Sequence, residues 1–355
     1  MSITELLREG FQKHGDSPTV KHYTDWSVFK NVLEKLVNNE VGLDKKLVVE
    51  TSGNARVEGL GEIRLYELNS ALPKYHMILN SEAVLAGFHG GRGFIKVEPA
   101  VETGVSVGNL IARIDSPGTL VLKVVNKVSN GLLLLGLNIN VADGVEANVV
   151  VDLEEASESA SSVNFRVETG SGSVGNIVFL VNPGRMMRIE GLFKPGGNSF
   201  TLVRLTGVLN ENSRIDAVLD GLVDGLNTTL NLYSTLYMSK HSAGSVRGRG
   251  TISPKASEAR LVYGFESILE EKAVAYMQPF LEVNSNRVLE ARHYARNYLV
   301  TQDKLFYLAT RGLSFEEAKN IVLTGLLTSL MPEELRSYCY GEIKRRMKGF
   351  PRARS

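Results

Sequence analysis

Through more than two hundred residues of its middle, this chain shows almost no helical periodicity. Short apolar runs follow one another instead: TLVLKVV, EANVVVDL, SVNFRVE, NIVFLVN, FTLVRLTGVL and EARLVYGF. Each is β-branched or alternating and bounded by Gly, Asn, Asp or Pro, the pattern of strands separated by turns. Glycine marks the same region, with 28 of the 34 glycines between residues 41 and 295. Many short strands in series fit a sandwich, a barrel, a propeller or a parallel β-helix. The lack of exact repeats counts against a propeller. The scarcity of Asn-Gly hairpin signals favours a β-helix, whose coils stack on one another and whose two ends need covers.

Helical patterns flank this region and are candidates for those covers. ITELLREGFQKHG carries Leu6, Leu7 and Phe11, and DWSVFKNVLEKLVNN carries Val28, Phe29, Val32, Leu33 and Leu36 at helical spacing. Near the other end, SFEE (Ser314 to Glu317) is a capping box, followed by the stripe Ala318, Ile321, Val322, Gly325, Leu326 and Leu330. MPEEL restarts a helix with Pro332 first and Glu333 and Glu334 at the positive end of the dipole. Leu335, Tyr338, Cys339 and Ile343 share one of its faces, so Cys339 reads as a small packed residue rather than a reactive thiol. The chain thus divides into an N-terminal helical segment (1–45), a β-helix core (46–295) and a C-terminal helical domain (296–355).

Charge and cysteine content narrow the function classes. Forty basic residues nearly cancel 39 acidic ones, leaving +1, so no global field draws the chain to nucleic acid or an anionic membrane. No apolar run approaches the roughly 20 residues that span a bilayer, and the polar start MSITELLREG lacks the apolar core of a secretion signal. A cytoplasmic location is the expectation. The single cysteine excludes a disulfide framework and any multi-cysteine zinc or iron–sulfur site built by this chain alone.

Several stretches invite chemistry and give it little support. GSGSVG (Gly170 to Gly175) matches a dinucleotide fingerprint in letters, but the following NIVFLVN reads as a strand where the fingerprint needs a helix. FHGGRGF around Gly90 and Gly91 lacks the Gly-Lys-Ser/Thr ending of a phosphate loop. The acidic DLEEASESASS (Asp152 to Ser162) lacks the ligand alternation of a calcium loop and reads as a solvated loop or distorted coil. The basic EIKRRMKGFPRARS reads as cations at a helix C-terminus with a frayed end. His14, His22, His76, His89 and His241 show no ligand spacing. His293, in ARHYARNYL, stands at the seam between strands and helices. On a strand, Glu290 and Arg292 share one face and His293 takes the other, so a Glu290/His293 acid–base pair needs an intervening bulge.

The stretch KLFYLATRGLSFEEAKNIVLTGLL (Lys304 to Leu327) resembles the C-terminal helical region of the SufB/SufD family of iron–sulfur cluster assembly proteins. Leu305, Phe306, Tyr307, Arg311, Gly312, Leu313, Ser314, Glu316, Glu317, Ala318 and Gly325 carry the likeness. MQPFLEV (Met277 to Val283) resembles the strand that leads into the family's functional histidine, whose position falls at His293, and HYTDW from His22 resembles the motif after the family's first helix. The resemblance implies a mainly β protein: a right-handed parallel β-helix core flanked by N-terminal helices and a C-terminal α-helical domain. It implies pairing with a SufB-like paralogue through the β-helices, docking of a SufC-type ABC ATPase on the helical domain, and no enzymatic activity. A homodimer is the alternative assembly.

Under the same resemblance His293 is a ligand to a nascent cluster or its iron. Leu305, Phe306, Tyr307, Arg311, Gly312, Leu313, Glu317 and Leu326 are the partner-binding set. No cofactor is held stably by this chain alone; a transient iron–sulfur cluster would be shared with a partner. The β-helix region has no cysteine and no glutamate directly follows His293, whereas B-like members carry both, so the chain resembles SufD more than SufB; bulky Tyr294 and charged Arg296 depart from the small residues of the family there. A degenerate structural paralogue without cluster contact is the second reading. A carbohydrate-active β-helix enzyme is a third, lacking both an export signal and paired acids.

Overall fold

The structure, a computed structural model, describes residues 3–11, 23–66, 70–299 and 302–347. Helices α1 (Ile3–Glu9) and α2 (Trp26–Val37) precede β1 (Leu43–Asp44), β2 (Leu47–Glu62), α3 (Leu72–Leu79) and two long strands, β3 (Glu82–Pro99) and β4 (Val105–Asn126). There follow β5 (Leu132–Val141), β6 (Glu146–Glu155), β7 (Ala160–Thr169), β8 (Val174–Asn182), β9 (Met186–Pro195) and β10 (Phe200–Leu209). The series continues through β11 (Arg214–Val223), β12 (Thr229–Met238), β13 (Ala243–Ile252), β14 (Ala259–Leu269), β15 (Val274–Val283) and β16 (Val288–Leu299). Helices α4 (Gln302–Ala309), α5 (Phe315–Thr328) and α6 (Glu333–Met347) complete the described chain.

From β5 onward, odd-numbered strands stack in parallel into one sheet and even-numbered strands into another. Strand β4 bends and starts both, its first half pairing with β5 and its second with β6. The result is the parallel β-helix expected from the strand series. Its interior is one continuous apolar cluster fed by alternate residues of both sheets. Close stacking at the first corner depends on glycine: a Cβ on Gly118 (φ +152°) would lie 2.3 Å from the Gly91 carbonyl oxygen.

The helices do not cover the ends, as the sequence suggested; they lie on the flanks. The reason is that both sheets are also apolar outside. Outward-facing Val150, Val178, Leu180, Val208 and Ile268 of the even sheet form a cluster with Leu323, Leu327, Leu335, Cys339 and Ile343 of α5 and α6. On the odd side, Val105, Val107, Leu132, Leu134 and Met186 pack with Leu6, Val28, Phe29, Leu33 and Tyr75 of the N-terminal helices. Leaving either surface in water would forfeit about 25 cal/mol for each Å² of apolar area.

Helix α5 begins at the expected capping box, with Ser314 and Glu317 each bonding the other's backbone. Its buried face is Ala318, Leu323, Thr324, Leu327 and Thr328, whereas Ile321, Gly325 and Leu330 of the predicted stripe face solvent. The helix is apolar on two sides, and the sheet takes one of them. Beneath its last turn, the buried Arg204 donates to the Thr235 hydroxyl at 2.9 Å and the Leu326 carbonyl at 3.4 Å, a cation at the negative end of the dipole.

The acidic stretch is another correction. Asp152 and Glu155 are buried, not solvated. Asp152 is paired with Arg346 and accepts from the Tyr338 hydroxyl at 2.8 Å, while Glu154 binds Lys123 at 3.2 Å and Arg345 at 2.6 Å. Asp152, Glu154 and Glu342 converge as a cation site would, but Lys123, Arg345 and Arg346 already neutralise them, so they clamp α6 to the sheet.

Candidate functional site

The two ends of the solenoid are built differently. At the first end β3 stacks on β4, and β2 folds back antiparallel along β3, a hairpin the strand series did not reveal. Register shifts after Gly53 and Val57 interrupt this hairpin, and the outermost strand carries Glu50, Arg56 and Glu58. Bulges and charges are the usual means of keeping an edge strand from recruiting another chain.

The last coil, β15 and β16, has charges and a register shift of its own, but among the described residues no strand folds back along it. Among the described strands, β15 pairs only with β13 and β16 only with β14, so each presents an unpaired backbone edge. Its apolar side chains are open: Val274, Phe280, Val283, Leu289 and Leu299 are all exposed, Leu299 at 72%. Ala275, Met277 and Leu281 pack against the interior cluster but are only partly covered, because among the described residues no further coil lies over them.

His293 sits in this coil. Strand register places it at the end of a row that runs Leu120, Val149, Ile177, Val203, Leu232, Tyr263 and then His293. The six residues before it are at most 1% exposed, all within the interior cluster. His293 therefore occupies an inward position of the solenoid, yet is exposed because the stack ends there. Ala291, Ala295 and Asn297 share its face by alternation, and Asn297 accepts from Ser267 at 2.6 Å.

The outward face of β16 has different chemistry. Arg292 binds Glu290 at 2.9 Å, as their shared face required, and the Arg296 guanidinium lies 4.4 Å from the centre of the Tyr294 ring. The sheet register shifts between the Ala259 and Arg260 pairings, making Leu289 an extra residue. That bulge precedes Glu290, so Glu290 and His293 stay on opposite faces. Among the described residues, His293 belongs to no group of three or more potential metal ligands.

The other histidines are dispersed. His76 is buried and bonded to Asn109 at 2.6 Å, and burial pushes its pKa down to about 4. His89 faces Glu58 at 3.2 Å, and His241 is exposed. His14, His22 and the basic residues beyond Met347 lie outside the described residues. GSGSVG forms the turn from β7 into β8, with a strand after it. Cys339 is buried, and burial raises its thiol to about 12.

The candidate partner-binding residues split into three groups. Phe306, Tyr307 and Arg311 are exposed together, Arg311 lying 5.5 Å from the Tyr307 ring centre. Gly312 (φ +93°) and Glu317 build the α4–α5 turn and cap, with Leu305 and Leu313 half-buried beside them. Leu326 turns towards the sheet. Phe315 and Tyr340, which sequence reasoning missed, and Ile321 and Leu330, which it placed in the apolar stripe, extend the exposed apolar surface of the tail. Helical periodicity carries both faces of α5 and could not say which one the sheet would take.

No described helix is long and apolar enough to cross a membrane. A family model, the SufBD core domain of SUF-system FeS cluster assembly, matches residues 110–326. Over 94 residues, or 26% of this chain, the sequence is 33% identical to an iron–sulfur cluster assembly SufBD family protein of Synechocystis sp.. It is also 33% identical over 95 residues to a SufBD family protein of Galdieria sulphuraria. The matched stretches span 19% and 42% of those relatives' lengths.

Proposed function

Because this chain belongs to the SufBD core family of SUF-system iron–sulfur cluster assembly proteins, we propose that it is a SufD-like, non-enzymatic scaffold subunit of a cytoplasmic assembly complex. The observation that carries this reading is the uncovered last coil with His293 in its inward row. Two free strand edges and a partly covered apolar interior are what a second solenoid would complete, by strand pairing and apolar burial. A SufB-like paralogue is the partner proposed. Once it is seated, His293 lies within the joint between the two solenoids. Its neutral imidazole nitrogen is then one donor to a nascent cluster or its iron, and the partner supplies the thiolates. The cluster is cargo handled between two chains. With one buried cysteine, this chain has no thiolate set of its own.

The tail supplies the second surface. Phe306, Tyr307 and Arg311 are the aromatic and arginine types that dominate interface energetics, and with Phe315 they form the proposed dock for a SufC-type ATPase. The clamp at Asp152 and the cluster beneath α5 would transmit force from that dock to the solenoid.

A second reading, a structural paralogue that never touches the cluster, is favoured by the lack of a ligand group around His293 among the described residues. One experiment separates the two. In cells whose own SufD-like gene is deleted, His293→Ala should lower cluster assembly while the complex is still recovered intact. Full assembly by that variant would leave the structural reading standing.

A further inference from the structure

Strand β15 is an edge strand, and part of its outward face is held by a residue from the start of the chain. Tyr23 stacks on Tyr276, with ring centres 4.4 Å apart and planes inclined by 23°. Tyr23 is itself fixed by a buried ionic set on the outer face of the odd sheet. The Arg247 guanidinium lies 5.8 Å from the Tyr23 ring centre and donates to both Asp216 oxygens at 2.8 and 2.9 Å. Thr24 donates to the same carboxylate. Arg188 pairs with Asp216, reaches the Thr24 hydroxyl at 3.2 Å and Glu190 at 2.9 Å, and lies 5.6 Å from the Trp26 ring centre.

Arg188, Glu190, Asp216 and Arg247 are all buried, two cations balancing two anions. Burial alone would raise the Asp216 carboxyl, but the two guanidiniums outweigh it and hold the pKa below the ordinary value. Apolar side chains could cover this sheet face at no greater cost, so the ionic set is notable for what it specifies: one seating for the segment Tyr23 to Trp26. Beside the stacked rings lies a cavity of about 170 Å³, lined by Tyr23, Arg214, Ser245, Val274 and Tyr276, so the pair borders open space instead of close-packed core.

We propose that Tyr23 is a positioning residue: through its stack on Tyr276, the docked N-terminal segment holds β15 in the geometry needed for pairing. Order in the last coil then depends on a segment some 250 residues away in sequence. The consequence for pairing rests on the reading given above; the ordering of β15 does not.

The test is hydrogen exchange on the full chain without any partner. Tyr23→Ala should speed exchange in peptides covering 274–283 by about two- to tenfold, the range an aromatic stack supports, with 200–238 unchanged. Tyr23→Phe should restore wild-type protection, and Tyr23→Ala with Tyr276→Ala should exchange no faster than either alone. Unchanged exchange in β15, or equal acceleration through every coil, would overturn the proposal. Affinity for a SufB-like partner should fall by a similar factor in Tyr23→Ala, and unchanged affinity despite a loosened β15 would remove the positioning role. A wild-type chain that binds no such partner would sink the pairing reading and leave the proposal to be decided by exchange.

Discussion

Tyr263 and His293 are neighbours in one inward row of the solenoid, joined by direct strand register, yet Tyr263 is sealed from solvent and His293 is open to it. A polar side chain thus stands where every earlier coil carries a buried apolar one. Within a continuing stack, burying an imidazole without a partner would cost on the order of 1–3 kcal/mol. At the last coil that cost disappears, because the ring is open to water.

The tail dock should behave as a surface feature. Phe306→Ala with Tyr307→Ala removes two exposed rings, so the thermal midpoint should stay within a degree or so of wild type. Binding of a SufC-type ATPase should weaken at least about tenfold, as expected for aromatic anchors. Calorimetric titration would check it, and unchanged affinity would move the dock elsewhere.

The clamp should behave as a buried feature. Asp152→Asn leaves the buried Arg346 without its counter-charge, at a cost of about 3–5 kcal/mol. Trypsin should then cut at Lys344 and Arg345 well before it attacks the solenoid. Wild-type cleavage kinetics would show that the apolar cluster holds α6 unaided.

Two buried groups should oppose each other in acid. The folded pKa of His76 is lowered by burial from 6.5 to about 4. The unfolded chain therefore binds the extra proton, and stability is lost as pH falls from 6.5 towards 4, by up to about 3 kcal/mol. Burial raises Glu155 from 4.5 to about 7, so there the folded chain binds the extra proton, and stability grows as pH falls from about 7 to 4.5. Glu155→Gln removes the second effect. Urea unfolding should show the stability of wild type relative to Glu155→Gln rising by up to about 3 kcal/mol between pH 7.5 and 4.5. A difference that does not change with pH would mean that Glu155 stays charged.

Much of the architecture was legible in the sequence because it is local. Runs such as EANVVVDL and NIVFLVN became β6 and β8, and SFEE became the cap of α5. What was hidden depends on distant pairing. DLEEASESASS reads as solvated because the partner of Asp152 is 194 residues away at Arg346. The β2–β3 hairpin was hidden because it closes around α3 instead of a short turn. The flanking strand singled out His293, but its place in the row was not legible. Successive members of that row lie 26 to 31 residues apart, a repeat too uneven to catch by eye. A search at that loose spacing would have shown a histidine in line with six interior residues.

The measurement that most directly tests pairing through the last coil is the mass of the complex formed on co-expression with SufB-like and SufC-like proteins, by size-exclusion chromatography with light scattering. Wild type should elute as a three-component assembly. Ala295→Arg, which places a charge on the exposed inward face beside His293, should leave this chain folded but lose the SufB-like protein. Recovery of the same assembly with Ala295→Arg would contradict pairing at this end of the solenoid, and with it the placement of His293 at the joint.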